Sequence, residues 1–299
     1  MQSHQQANVY LLFATIIWGI TPLVVEDLLN YLNPITILTI RFGIAVVILT
    51  VFMFLFHRQE GFSLLSSKTC VLIGFLNALA YPAATIGQKL TTAGLSTLLT
   101  SSFVVIVPFI AWKIEGKILT TKIICTALIS LVGIFLISYN GDWTSQSSAL
   151  NLGIIISLLA AILWAFYIVL SSKYLDITKT EDNHINPLNF IYAINFYTLL
   201  PLIIFSCFTS DLFGFIPRRI IPLLVFLGVL PQIIAFGLNS WAVARLGSVN
   251  TSFFLILQVL VPLLFEFIVV QQFYTIWIYF GVLFILLSMF LIAKVNRVS

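Results

Sequence analysis

Five landmarks in the first half of this sequence recur in the same order in the second. Trp18-Gly19 is answered by Trp164-Ala165, Asn33-Pro34 by Asn186-Pro187, Pro82 by Pro231, Gly94 by Gly247 and Pro108 by Pro262. The offset stays between 146 and 154 residues in a chain of 299, which points to an internal duplication. Each landmark lies in or beside an apolar stretch, and each half carries five of these stretches. Because five is odd, a second copy of a five-helix unit crossing a bilayer must start from the opposite side. The two copies then form an inverted repeat.

The apolar stretches are Val9–Leu29, Pro34–Phe56, Cys70–Gln88, Leu95–Trp112, Ile123–Tyr139, Leu152–Leu170, Leu188–Phe208, Ile220–Val243, Val249–Val270 and Ile276–Ala293. A hydrocarbon core about 30 Å thick takes roughly 20 apolar residues per helix. With 61% hydrophobic and 8% charged residues, the chain cannot present the charged surface of a soluble globule. The stretches are apolar on every side, so helices fit and barrel strands of alternating polarity do not. The expected fold is an all-α integral membrane protein of ten transmembrane helices in two inverted five-helix repeats, residues 1–147 and 148–299. The first stretch reads as a retained helix, since no basic start precedes it and no small-residue cleavage site follows. Cys70, Cys125 and Cys207 are isolated and read as small packing residues.

If the N-terminus is cytoplasmic, ten basic residues fall on that side: Arg58, Lys68, Lys113, Lys117, Lys122, Lys173, Lys179, Arg245, Lys294 and Arg297. Lys89, Arg218 and Arg219 fall on the other. The imbalance favours both termini in the cytoplasm. It also accounts for the net charge of +4 as topology, so no nucleic-acid partner is expected.

Polar residues inside hydrocarbon are costly unless paired or hydrated. On the third stretch Asn77, Tyr81, Thr85 and Gln88 share a helical face; on the eighth, Gln232, Phe236 and Asn239 do. The ninth adds Thr251, Gln258, Pro262 and Glu266. Trp18 and Trp164 lie in mid-span, away from the interfaces where tryptophan is common. Trp18, Asn77, Tyr81, Gln88, Trp164, Gln232, Asn239 and Gln258 are therefore the expected cavity lining. Pro82, Pro108, Pro231 and Pro262 each remove a backbone hydrogen bond and are the expected helix breaks. A second reading of the same amides is that they bond helix to helix without meeting a solute.

Three ionisable groups share one depth, Arg41, Glu26 and Glu266. Arg41 is expected to pair with one of the carboxylates. The pair can be a structural clamp or a gate, and Glu266 is a candidate proton-coupling acid. The chain has no His-Glu-x-x-His, no Gly-x-Ser-x-Gly and no phosphate-binding loop. No catalytic residue, metal or cofactor is expected, and a carrier is favoured over an intramembrane enzyme or a scaffold.

The Trp-Gly of the first stretch, Asn33-Pro34 followed by Arg41-Phe42, the run Leu-Thr-Thr-Ala-Gly-Leu-Ser at 90–96 and Pro108 resemble the EamA-type branch of the drug/metabolite transporter superfamily. The resemblance covers nearly the whole chain. It implies a carrier of the cell (inner or plasma) membrane with both termini inside and a central cavity between the halves. Such carriers work by alternating access and often export amino acids or other small metabolites. The implied partners are a small-molecule substrate and the lipid bilayer, with protons as a coupling candidate. The sequence leaves the substrate, the direction of flux and the oligomeric state open.

Overall fold

The coordinates are a computed structural model, which describes residues 2–56, 62–139, 148–177, 185–208, 216–269, 271 and 275–295. Arg58, Lys179 and Arg297 of the basic count lie outside the described residues, as do the side chains of Lys294 and Glu266. Among the described residues all regular elements are helical. They are α1 (Gln2–Leu28), α2 (Pro34–Phe56), α3 (Lys68–Leu90), α4 (Ala93–Thr100), α5 (Phe103–Glu115), α6 (Thr121–Tyr139), α7 (Ser148–Ile177), α8 (Pro187–Ser206), α9 (Ile221–Val229), α10 (Phe236–Leu255), α11 (Leu260–Ile268) and α12 (Ile276–Val295). Short 3-10 turns and one π turn join some of them.

Local chemistry sets where these helices start. The two Asn-Pro landmarks are the same device used twice: Asn33 Oδ1 accepts from Thr36 N–H and Asn186 Oδ1 from Leu188 N–H, each at 2.9 Å. The following proline sits at the first helical position, where its missing N–H costs nothing. Ser67 and Thr92 cap α3 and α4 through Cys70 N–H and Leu95 N–H. Gly116, at φ +69°, ends α5 in the left-handed region. Within the spans, threonine hydroxyls donate back to the carbonyl four residues earlier, as Thr15 does to Leu11 and Thr198 to Ile194. In hydrocarbon a hydroxyl has few other partners.

Seven helical segments are long and apolar enough to cross a membrane, and the apolar helices Thr121–Gly133 and Ile276–Ser288 are shorter. One of the seven runs 48 residues, from Arg218 to Phe265. At 1.5 Å per residue that is about 72 Å, more than twice a bilayer core of about 30 Å. The eighth and ninth apolar stretches are thus continuous in helix assignment rather than separate. The fold divides them at Gly247, whose φ of 76° and ψ of 169° lie in a region open essentially to glycine alone. Its landmark partner Gly94 sits inside regular α4. The fourth stretch is itself two helices, interrupted at Ser101-Ser102, and the ninth is interrupted by a 3-10 turn at Ile256–Val259. Both interruptions fall ahead of the prolines Pro108 and Pro262, so the breaks lie upstream of the residues expected to cause them. Pro262 lacks the N–H that would bond the Gln258 carbonyl, which favours the tighter turn there.

Helices approach closely where glycine removes the side chain. A Cβ on Gly228 of α9 would meet Ile44 Cγ2 of α2 at 2.6 Å, and one on Gly74 of α3 would overlap Tyr197 Cβ of α8. These two contacts are images of each other: Gly74 lies 154 residues before Gly228, and Ile44 lies 153 before Tyr197. Between α6 and α12, Ser130 donates to Ser288 at 2.6 Å, and Gly133 abuts the Gly281 carbonyl. Such small-residue contacts substitute in lipid for the hydrophobic drive available in water. Side chains facing away from the bundle, among them Phe13, Val47, Leu55, Phe135, Ile155 and Leu283, are apolar and exposed around its girth. That surface suits lipid.

Gly228→Ala and Gly74→Ala should each force a helix pair apart and lower stability by about 1–3 kcal/mol. Gly43→Ala, with nothing within 4 Å of the added atom, should change it by less than about 0.5 kcal/mol. Thermal unfolding of the detergent-solubilised protein measures all three.

Candidate functional site

Two faces of the bundle can be distinguished. On the first, α1 passes to α2 and α3 to α4, and Arg219 donates to Tyr31 Oη. On the opposite face α5 ends at Glu115. A cavity of about 640 Å³, counting its open mouth, occupies the half nearer the first face. Its walls are the last turns of α1 (Trp18, Thr21, Pro22, Val25) and of α3 (Tyr81, Ala84, Thr85, Gln88). They are completed by the start of the fourth stretch (Ser96, Thr97, Thr100, Phe103), by Arg41 and Trp164, and by Gln258 from the 3-10 turn.

The floor is aromatic. Tyr81 packs against Phe42 at 4.9 Å and Trp164 at 5.1 Å between ring centroids, and Phe236 packs against Trp18 at 5.1 Å. Tyr167 closes the circuit between Trp164 and Phe236. Edge-to-face geometry of this kind stabilises aromatic clusters beyond their buried area. Below the floor, Tyr81 Oη donates to Gln232 Oε1 at 3.4 Å. Gln232 Nε2, both amide atoms of Asn77 and Asn239 Oδ1 are buried there without a hydrogen-bond partner.

The structure therefore divides the expected lining residues. Trp18, Tyr81, Gln88, Trp164 and Gln258 face the cavity, whereas Asn77, Gln232 and Asn239 lie buried beyond it. Gln88 and Gln258 are held by neighbours, Gln88 Nε2 donating to the Pro22 carbonyl at 2.6 Å and Gln258 Nε2 to Ser101 Oγ at 3.2 Å. The wall of Ser96, Thr97, Thr100 and Phe103 is absent from the sequence-based set. Its signal is the spacing of one, three and three, which a helical period would place on one side of the stretch, although Phe103 belongs to α5 and the hydroxyls to α4.

The mirrored prolines behave differently. Around Pro231 the chain forms a π turn, Leu230–Ala235. A π turn displaces carbonyls from their usual donors. Trp18 Nε1 donates to the Pro231 carbonyl at 3.3 Å and Asn195 Nδ2 to the Gln232 carbonyl at 3.4 Å. Pro82, by contrast, lies in an uninterrupted α3 and does not break it. Trp164, the counterpart of Trp18, leaves its Nε1 without a partner at the cavity.

The expected pairing of Arg41 with Glu26 is not formed. Glu26 Oε1 instead accepts from Ala93 N–H at 3.2 Å and ties the end of α1 to the start of α4. A carboxylate at a helix N-terminus is well placed, because the orphan N–H groups and the dipole both favour it. The side chain of Glu266 lies outside the described residues. Arg41, 3% exposed, lies with its guanidinium carbon 4.9 Å from the Tyr81 ring centroid, and its Nε has no hydrogen-bond partner. Among the described residues the one ion pair is Lys117 with Glu115, at 2.6 Å. It belongs to the opposite face, where Ser248 Oγ donates to Glu115 Oε2 at 2.9 Å, beside Gly247. Tyr174 Oη to Ser67 Oγ, Tyr197 Oη to the Leu65 carbonyl and Lys173 Nζ to the Ile114 carbonyl bond further elements on that side.

A water-accessible pocket of rings, hydroxyls and one cation, enclosed by lipid-facing helices, characterises an integral membrane transporter. The sequence profile of the EamA-like transporter family matches residues 5–139 and again residues 151–294; the chain belongs to that family. A relative from Archaeoglobus fulgidus, described as an uncharacterized transporter, is 26% identical over 288 residues, spanning 96% of this chain and 85% of its own. A second from the same organism, described in the same words, is 22% identical over 272 residues, or 90% of this chain and 91% of the relative. A solved crystal structure at 14% identity covers 98% of each chain with a TM-score of 0.69, a likeness of fold alone. Family membership favours transport over catalysis.

Trp18→Phe removes a hydrogen bond as well as ring volume, whereas Trp164→Phe removes ring volume only. Trp18→Phe should be the more destabilising by about 1 kcal/mol. The difference is read from chemical unfolding of the two variants in detergent.

Proposed function

We propose that the protein is a secondary carrier that moves a small metabolite, an amino acid or an amphipathic drug-like solute, outward across the inner membrane by alternating access. Residues 1–147 and 148–299 are two inverted five-helix halves, and both termini are cytoplasmic. The ten-span reading follows from dividing the 48-residue segment at Gly247 and counting the shorter apolar helices Thr121–Gly133 and Ile276–Ser288, which belong to the packed pair α6 and α12. The exchanged contacts Gly74 with Tyr197 and Gly228 with Ile44 support the two-fold relation, as does the double match of the family profile.

The observation that carries the mechanism is that a cavity in the half nearer the first face is built from both halves, while Glu115, Lys117 and Ser248 bond the halves together at the opposite face. In an inverted repeat, exchanging the conformations of the halves exchanges the open face. The mirrored prolines supply two such conformations, a π turn at Pro231 and a regular helix at Pro82. After exchange, Trp164 Nε1 would have the role that Trp18 Nε1 has here.

Purified protein in proteoliposomes, preloaded with an amino-acid and drug panel, should show counterflow of at least one solute. A Tyr81→Ala/Gln232→Ala double variant opens the floor beneath the cavity and should lower that rate by about tenfold or more, the equivalent of some 1.4 kcal/mol. A panel in which nothing moves, with variant and parent indistinguishable, would overturn the carrier reading.

A further inference from the structure

We infer that Arg41 is the anion-binding group of the cavity and that the solute it selects is a monocarboxylate with an apolar or aromatic body. The inference deepens the carrier reading and rests on it. Among the residues lining the cavity Arg41 carries the one charge. It is almost wholly buried, and no carboxylate among the described residues pairs with it, Glu26 being held at Ala93 N–H. A cation in that position is severely desolvated, and a structural role would call for a fixed counter-ion.

The face of the Tyr81 ring orients the guanidinium and offsets part of its desolvation. Ring contact leaves the N–H edge available, and that planar edge matches a carboxylate through two parallel bonds. Trp164 also lines the cavity, and its Nε1 is buried without a partner. The hydroxyls of Thr97 and Thr100 already donate to carbonyls of their own helix, which leaves the Arg41 guanidinium as the one cationic donor of the lining.

The charge count then sorts solutes. An α-ammonium group would find no carboxylate among the lining residues, only neutral hydroxyls, amides and aromatic faces, beside a like charge at Arg41. A doubly charged phosphate monoester would leave one negative charge unmatched. A single carboxylate is neutralised by Arg41, with Trp18 and Phe103 against its apolar remainder. Deaminated or N-acylated amino acids have this chemistry.

Phenylacetate, phenylacetamide, phenylalaninamide and phenyl phosphate, titrated against the intrinsic tryptophan fluorescence of the intact protein in nanodiscs, test the assignment without any variant. Phenylacetate should bind about tenfold or more tighter than phenylacetamide, the scale of one charge-assisted bond pair. It should also outcompete the other two probes. Arg41→Gln should abolish the preference and Arg41→Lys should retain part of it, each variant being checked for parental melting behaviour. Equal binding of phenylacetate and phenylacetamide overturns the assignment, as does a preference that survives Arg41→Gln. Counterflow of neutral or cationic solutes in proteoliposomes with no such preference leaves the carrier standing and removes the anion site. An Arg41-dependent preference with no solute crossing any liposome does the reverse. Absence of binding by all four probes, with no counterflow, removes both.

Discussion

A backbone inside hydrocarbon must find its hydrogen-bond partners within the protein, because no water is present to stand in for a lost one. Most of this structure is a response to that requirement. Regular helices meet it with their own ladders, and threonine hydroxyls return their donor to the preceding turn. Prolines cannot comply, and the bundle must compensate for each. At Pro231 the ladder widens into a π turn whose carbonyls are met by Trp18 and Asn195. Those two side chains come from α1 and α8, so repair of one proline ties three parts of the bundle together. The repair also fixes the Trp18 ring at the edge of the cavity floor. The defect and the site are thus one construction.

Symmetry explains the packing better than it explains the site. Gly74 against Tyr197 and Gly228 against Ile44 repeat one contact in both halves, and the Asn-Pro caps repeat one helix start. These positions serve the fold, so both copies keep them. Charge does not repeat. At the 153-residue offset of Asn33 and Asn186, Ile194 stands where Arg41 does, and the neighbouring Asn195, one residue out of register, bonds the Ile191 and Gln232 carbonyls through its amide. A neutral amide can be satisfied by carbonyls alone, and a guanidinium pressed against a ring cannot be neutralised that way. The cavity consequently has a polar pole set by one half and an apolar remainder supplied by both.

Much of the fold is legible in the sequence because hydropathy and helix-start chemistry are local. Apolar stretches such as Pro34–Phe56, Cys70–Gln88 and Leu188–Phe208 coincide with α2, α3 and α8 to within two residues, and Asn33-Pro34 and Asn186-Pro187 cap as their chemistry dictates. What could not be read depends on relations across the bundle. Pro82 and Pro231 have the same local signature, and only their neighbours decide that one bends the chain into a π turn and the other does not. Gly94 and Gly247 share a place in the repeat, yet only Gly247 takes the unusual backbone angles that let two stretches follow each other with scarcely a gap. Arg41 and Glu26 stand at a common depth, and depth alone suggested a pair. Azimuth around the bundle decides contact, and it directs Glu26 to α4 and Arg41 to Tyr81. The hydroxyl wall of the fourth stretch was overlooked because serine and threonine are unremarkable in lipid until they share a face with a cavity.

The unsatisfied amides below the floor bear on how such a bundle could hold two states in balance. Asn77, Gln232 and Asn239 lie between the aromatic floor and the face that carries the Glu115–Lys117 pair, and each has at least one buried atom without a partner. A buried polar group left unpaired costs about 1–3 kcal/mol. That penalty weighs against the closed arrangement of this face and would be relieved if the face opened to water. Nearer the cavity Arg41 Nε and Trp164 Nε1 are likewise buried without a partner. Two states can interconvert readily only when a few kcal/mol separate them, and a solute that pairs with Arg41 shifts the balance by whatever difference in affinity the two states offer it. Orphaned polar atoms on both sides of Tyr81 would be faults in a static scaffold. In a bundle that opened alternately to either face, as proposed above, each set would be hydrated in turn.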